Sequence, residues 1–244
     1  MAQTPIVLQN VSMLADGYNL SASTNKVKLA LSADDLDVTS FASNGYKERV
    51  GGLKSVSFNA EGFYTTDGSD ALYGTNLGVS DTVFSVSPDG ADGSVVYGFR
   101  SLQTQYETGG DVGQVQTYTV DAMARNAEGL LRGTVMHPVA TARTSTGTGT
   151  IRQLGAVTST QRVYAWLNVV SASGSTPSLT VKVQSAATVG FGSPADRITF
   201  SAATATGAQY GSAAGAITDA YWRVSYTISG TSPSFQFSVG IAIQ

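Results

Sequence analysis

Few side chains in this sequence could do chemistry, and they are scattered. Asp34, Asp35 and Asp37 could offer carboxylate oxygens to a cation. A calcium site, however, needs about six to eight oxygen ligands around a tight glycine turn, and that spacing is absent. The acidic run therefore indicates a solvated loop. Residues 89–93 contain two Asp-Gly pairs, which are typical of a hairpin turn.

The chain has a single histidine, His137, and no cysteine. A histidine that acts as a general base needs a nucleophile and an orienting partner, and no Gly-x-Ser-x-Gly elbow is present. Zinc needs several nitrogen or sulfur ligands, which this chain cannot supply. The run Gly147–Thr150 lacks the Lys-Ser/Thr of a phosphate loop. We therefore expect no catalytic residue, no metal and no cofactor, and predict that the protein is not an enzyme.

The composition indicates an all-β protein that is rich in turns. Only 13% of the 244 residues are charged, against roughly 25% in an average domain, and the chain holds 27 glycines. Its 42% hydrophobic content is unlike a disordered chain, and β-tolerant small polar residues dominate. No apolar run approaches the ~18 residues of a membrane anchor. No cation precedes Lys26, so we expect no secretory leader.

The second half of the chain carries the clearest strand patterns. Apolar and polar residues alternate over residues 235–243, which is the signature of a half-buried antiparallel strand. Shorter alternations occupy 162–170, 178–184 and 221–228, and Ser-Gly turn signals separate them. This half is predicted to be a compact β-sandwich or barrel.

The first half is predicted to be a β-barrel or sandwich with longer loops and one short helix. The helix is expected near residues 68–76, capped by Ser69 or Asp67, with Ala71, Leu72 and Tyr73 packed inward. The candidate strands are Val27–Leu31, Ser55–Phe63, Thr82–Ser87, Ser94–Phe99, Val112–Asp121 and Leu130–Met136.

A boundary is expected near residues 137–150. This stretch combines proline, two glycines and five threonines, as linkers and surface crossovers do. Charge changes at the same place, because residues 1–140 hold 15 acidic and 8 basic residues, whereas residues 141–244 hold 2 acidic and 6 basic residues. We predict a β domain at 1–136, a linker at 137–150 and a β-sandwich domain at 151–244.

The segment 34–54 is the best physical indication of an interaction surface. It is longer than most loops of compact domains, and long loops are usually functional. It also places Phe41 and Tyr46 among polar residues, where exposed aromatic rings favour a partner that covers them.

The same stretch resembles the tail tube (major tail) proteins of long-tailed bacteriophages. The matching positions are Asp37-Val38-Thr39, then Tyr46-Lys47-Glu48-Arg49, Gly52-Leu53, and the alternating strand up to Phe63. Weaker likenesses at 15–20, 112–116 and 131–135 extend the resemblance over roughly residues 5–136.

The resemblance implies a structural subunit of a siphophage virion tail, made in the host cytoplasm. Subunits of this family join sheet to sheet into a homo-hexameric ring, and stacked rings form the conduit for DNA ejection. The implied partners are further copies of the chain, tail terminator and tail tip proteins, and a tape measure protein and DNA in the lumen without specific binding. The ring-stacking loop would comprise Asp37, Thr39, Phe41, Tyr46, Lys47, Glu48, Arg49, Gly52 and Leu53.

Alternatives stay open at this point. Residues 151–244 could decorate the outside of a sixfold ring, which we favour, or form a second tube-like domain, so that three chains make a pseudo-hexameric ring. The competing functions are a carbohydrate- or receptor-binding β module, for which Trp166 and Trp222 could form an aromatic platform, and a capsid decoration protein.

Overall fold

The computed structural model describes residues 8–125, 127–139 and 141–244. The chain is all-β, as predicted, with one short helix, and every paired strand runs antiparallel to its neighbours. No helix of the described residues is both long and apolar enough to span a membrane. The elements are β1 (Ser12–Ala15), β2 (Tyr18–Asn19), β3 (Thr24–Asp37), β4 (Arg49–Phe63), α1 (Ser69–Tyr73), β5 (Ser80–Ser87), β6 (Val95–Gly109), β7 (Thr117–Ala124), β8 (Leu131–His137), β9 (Gly147–Thr148), β10 (Arg152–Gln153), β11 (Arg162–Ala186), β12 (Ala195–Thr199), β13 (Gly207–Ala214) and β14 (Tyr221–Ile243).

The first half folds as an open, rolled sheet in the order β3-β4-β7-β6-β5-β1-β2. Its inner face buries an aromatic cluster, in which Phe84 lies 4.6 Å from Phe58 and 5.2 Å from Phe99 between ring centroids. Among the described strands β3 pairs only with β4, so its other edge is unpaired. The sheet therefore has a seam between β3 and β1.

The predicted helix is present but shorter, and neither predicted residue caps it. Gly68 is the N-cap and makes no side-chain hydrogen bond. Ser69 instead exchanges hydrogen bonds with Thr65, since its Oγ accepts from the Thr65 amide at 2.9 Å and its amide donates to Thr65 Oγ1 at 3.0 Å. Leu72 and Tyr73 point into the core as predicted, whereas Ala71 is only partly buried.

In the second half, the four predicted strand segments belong to only two strands, both of them very long. β11 joins 162–170 to 178–184, and β14 joins 221–228 to 235–243. The Ser-Gly clusters that indicate turns are irregular points inside these strands, where the pairing register of β11 and β14 shifts. Gly174 and Gly230 take positive φ values of 115° and 122° there, which side chains with a Cβ rarely adopt.

A local twofold relation links β11 and β14. The pattern Ser-Gly-[Ser/Thr]-[Ser/Thr]-Pro-Ser occurs at 173–178 and again at 229–234, 56 positions later. Ser175 pairs with Thr231, its own counterpart in the repeat. Both ends of each strand contribute alternate residues to one core, which includes Leu167, Val181, Trp222 and Phe237. The two strands thus fold over at their centres and form both layers of the sandwich.

The two halves share a sheet and a small core. β8 pairs with β6 of the first half and with β14 of the second. The predicted linker does not hang free, because Gly147 and Thr148 pair with β14 and Arg143 bridges Phe235. The boundary near 137–150 stays a prediction about how the chain divides.

Candidate functional site

The segment predicted as a long loop is a projecting β-hairpin, which we call the arm (residues 31–55). β3 and β4 stay paired out to Asp37 and Arg49, well past the last buried residue, Val56. Within the arm every residue is exposed except Ser43 and Gly52. Strand geometry gives about 20 Å for the projecting part of β3, from 32 to 37.

The structure brings the nine predicted site residues together on this arm. Asp37 and Arg49 face each other across the last pair of the hairpin. The tip, residues 38–48, carries Thr39, Phe41, Tyr46, Lys47 and Glu48. Gly52 and Leu53 lie on β4 near a shift of register.

Hydrogen bonds hold the tip in one shape although it has no apolar core. The Asp37 carboxylate accepts from the Thr39 amide at 2.9 Å, and Thr39 Oγ1 accepts from the Glu48 amide at 3.0 Å. Hydrogen bonds from Thr39 hold the pKa of Asp37 below its usual value. Ser43 Oγ accepts from the Ser40 amide at 3.0 Å.

This scaffold presents large apolar side chains to solvent. Phe41 is fully exposed, and Tyr46 and Leu53 are 80% and 81% exposed. Leu31, Leu36 and Val50 on the two strands and Val38 in the tip are exposed as well. Several large apolar side chains exposed on one projecting element indicate an interaction site.

Close contact between the arm strands depends on Gly52. A Cβ at this position would lie 2.9 Å from the Asp34 Cβ and 3.2 Å from Leu36 Cδ1. Asp35 and Arg49 form an exposed ion pair beside it. Asp34, Asp35 and Asp37 therefore lie in strand β3 and not in a loop. The described residues contain no cluster of three His, Asp or Glu side chains suited to a metal ion.

A second exposed apolar element lies at the other end of the same sheet. The loop 110–116 exposes Val112 fully and Val115 by 67%. Its neighbour Thr117 pairs with Phe63, at the end of β4 away from the arm. The sequence predicts a strand over Val112–Asp121 here, but the strand is Thr117–Ala124. The three glycines at 109, 110 and 113 around Val112 are the signal that could have identified the loop.

An open groove of about 900 Å³ occupies the seam between β1 and β3. Its apolar lining comes from both walls and includes Leu8, Val11, Met13, Val27, Leu29 and Val86. Lys26, which is paired with Glu61 at 2.5 Å, and Asp89 are the charged residues that line it. No sequence pattern indicates this groove, because it arises from an unpaired sheet edge.

The remaining candidates are structural. His137 is buried, where its Nδ1 donates to the Phe237 carbonyl at 3.0 Å and its Nε2 accepts from Arg143 Nε at 3.2 Å. Trp166 and Trp222 are both buried, so they cannot form an exposed platform for a glycan. The Asp-Gly turn predicted at 89–93 is confirmed between β5 and β6.

Comparison with known proteins gives distant structural neighbours. No protein-family model and no curated protein matches the chain. A chain of the virion of the native gene transfer agent particle is 19% identical, covering 53% of this chain and 97% of that one with a TM-score of 0.41. A chain of the tail of the empty gene transfer agent particle, of C6 symmetry, is 16% identical, covering 48% and 92% with a TM-score of 0.37.

A third neighbour is the SPP1 Dit protein, from a hub adsorption apparatus of phages that infect Gram-positive bacteria. It is 10% identical and covers 97% of this chain and 100% of that one, with a TM-score of 0.37. These neighbours are phage or gene transfer agent tail and hub proteins. Identities and scores this low assign neither a family nor a function to this chain.

Proposed function

We propose that this protein is the subunit of a tail tube, which assembles into stacked homomeric rings that conduct DNA out of a phage-type virion. The projecting arm is the observation that carries this proposal. It places Phe41, Tyr46 and Leu53 in solvent on a hydrogen-bonded scaffold that has no role in the monomer's core. Three of the motifs that resemble tail tube proteins, at 37–39, 46–49 and 52–53, fall on this arm.

The open edge of β3 supports ring formation. This strand is 14 residues long and pairs only with β4 among the described strands. An unpaired edge presents backbone donors and acceptors that the sheet of another chain can use. Lys28, Asp34 and Asp35 along this strand oppose indiscriminate pairing, because charges on an edge strand disfavour aggregation. The preferred ring is sixfold, and a threefold ring of two-domain subunits is the alternative.

The distribution of charge supports a lumen lined by the first half. Residues 1–140 carry 15 acidic and 8 basic residues. A basic wall would retain DNA, since each phosphate contact releases counterions and raises affinity steeply. An acidic wall instead repels the phosphates and lets DNA pass. Residues 151–244, with a positive balance, would then lie outside.

The tube, once formed, would meet tail terminator and tail tip proteins at its ends and enclose a tape measure protein. The protein would act in the virion tail after synthesis in the host cytoplasm. The test is electron microscopy of the purified protein with sedimentation velocity over a concentration series. Stacked rings are expected, whereas a monomer that binds capsids or glycans at all concentrations would replace this proposal with a decoration protein or a binding module.

Replacing either tip aromatic should weaken stacking and leave the fold intact. Phe41→Ser and Tyr46→Ser each remove a ring whose burial on contact contributes roughly 1.5–3 kcal/mol, or about a tenfold or greater loss of association. The measurement is tube length and the association constant by sedimentation, with circular dichroism to check the monomer.

Val189→Ser is the matched control, because Val189 is a similarly exposed apolar residue on the second half. It should leave tube length unchanged. Tubes of normal length from both aromatic variants would contradict a stacking role for the arm.

A further inference from the structure

We infer that the seam groove is the acceptor for the arm tip of a second copy of this chain. The inference rests on the proposed function and adds where the arm docks. The arm and the groove occupy opposite ends of one strand, since residues 24–27 and Leu29 of β3 line the groove and residues 31–37 of β3 belong to the arm. The arm of another copy can therefore fill the groove. A copy's own arm does not have to fold back onto it, and two copies do not have to exchange arms reciprocally.

The geometry suits an open stack. Ten residues of β3 separate Val27, on the groove wall, from Asp37, at the base of the tip, which is about 33 Å of strand. A contact between different patches at the two ends of one subunit is heterologous. Such contacts repeat without limit when successive copies are displaced along one direction. A displacement of this order along β3 brings the tip of one copy to the groove of the next.

The two surfaces also match in chemistry. Residues 38–46 of the tip carry no charged side chain, and the two charges that follow, Lys47 and Glu48, have opposite signs. The groove lining holds one positive and one negative residue, Lys26 and Asp89, and Lys26 is already paired with Glu61. Its walls are otherwise apolar or neutral, and the partly exposed Val11, Val27 and Leu29 are among the residues that line it. Burial of Phe41 there would remove apolar surface of both copies from water without stranding a charge.

The tip is also shaped before it binds. Asn44 and Gly45 turn the chain with positive φ values of 48° and 81°, and the Tyr46 amide donates to the Ser43 carbonyl at 2.9 Å. A segment that is ordered beforehand loses less conformational entropy on docking. Phe41 and Tyr46 are thus presented as fixed anchors.

Disulfide trapping tests this contact cleanly because the chain has no cysteine. Full-length copies carrying Ala42→Cys, an exposed tip position that keeps Phe41 and Tyr46, are mixed with size-tagged copies carrying Asn10→Cys or Asn25→Cys, which lie on the two walls of the groove. After assembly and mild oxidation, the mixed disulfide dimer is quantified on a denaturing gel. Tip and groove cysteines in contact should link at least about tenfold more than in the dilute, unassembled mixture, since a disulfide requires close Cβ atoms.

The matched control is Val112→Cys, an exposed residue at the same end of the sheet but outside the groove. It should not link to Ala42→Cys. Tubes in which Ala42→Cys links to Val112→Cys, or to neither groove position, would overturn the acceptor while leaving the proposed function intact. Chains that form no rings or tubes at any concentration would overturn both.

Discussion

His137 is neutral in the folded protein because its surroundings cannot solvate a second proton. Burial, together with the nearby Arg143 charge, lowers the pKa of His137 to about 4. The hydrogen bond that the ring donates to the Phe237 carbonyl and the Asp92 charge oppose this shift only in part. Its ring stacks on Phe237 at 4.1 Å between centroids. From the sequence only a lone histidine before a proline can be recognised. Its burial could not be predicted, because it depends on Phe237, which lies 100 residues away.

Stability should therefore fall as pH falls from about 6.5 to about 4. The unfolded chain binds a proton on His137 near its ordinary pKa of about 6.5, whereas the folded chain does not until about 4. The full loss is about 3 kcal/mol, of which about 2 kcal/mol is expected between pH 7 and pH 5. Asp196 and Asp219, whose pKa values are lowered by their hydrogen bonds, add losses only under more acidic conditions.

Urea unfolding at pH 7 and pH 5 measures this loss. His137→Phe keeps a ring in the stack and should flatten the pH dependence, whatever it costs at pH 7. The single histidine also gives one set of imidazole signals in a proton NMR spectrum. A resonance that titrates near 6.5 in the folded protein would refute the assignment.

At the scale of elements, hydrophobic periodicity predicts individual strand segments, but it does not predict which segments join into one strand through pairing. The alternation over 235–243 correctly predicts one end of β14, because each apolar residue there faces the same core. The joining of 221–228 to 235–243 could not be predicted. Ser-Gly and Thr-Ser-Pro indicate a turn locally, and only pairing with β11 makes them a bend inside a strand.

The arm escaped prediction for a related reason. A strand with no buried face has no alternation, so polar residues over 34–54 indicate a loop. Backbone pairing of β3 with β4 sets its conformation instead. The exposed aromatic residues were identifiable from sequence, because their cost in solvent does not depend on the secondary structure that carries them.

The twofold relation predicts matched effects of Gly174→Ala and Gly230→Ala. Each glycine has a positive φ, and an added Cβ would lie 2.7 Å from a carbonyl oxygen, of Ser232 at Gly174 and of Thr176 at Gly230. Each substitution should lower the free energy of unfolding by about 1–3 kcal/mol, and the two losses should be similar. Ser175→Ala, at the exposed centre of the relation, should change it by less than about 0.5 kcal/mol. Strongly unequal losses at the two glycines would argue against equivalent bends.

At the scale of the whole molecule, Trp166 couples the two halves. It belongs to β11, yet its indole Nε1 donates to Ser85 Oγ of the first half at 3.2 Å. Glycines at 98, 133 and 240 form its slot, since a Cβ at any of them would lie within 3.0 Å of the ring. Each half also has its own core. The two predicted domains are therefore joined through the small core around Trp166, which also contains Tyr164, Val83 and Val135, and through the pairing of β8 with β14.

Trp166→Ala should separate the unfolding of the two halves. The wild-type chain is expected to unfold in one transition, because Trp166 makes the cores stabilise each other. Removing it costs about 3–5 kcal/mol, as for other large-to-small changes in a core, and removes that coupling. Trp222, buried in the core of the second half, is then the only tryptophan, so fluorescence follows that half while circular dichroism follows both. The two signals should coincide in the wild type and diverge in Trp166→Ala.

Trp222→Phe is the control, because it perturbs one core without touching the junction. It should lower the midpoint of a transition that stays single. Coincident curves in Trp166→Ala would assign the coupling to strand pairing and the remaining contacts of the shared core. Two transitions in the wild type would show that the halves already unfold independently.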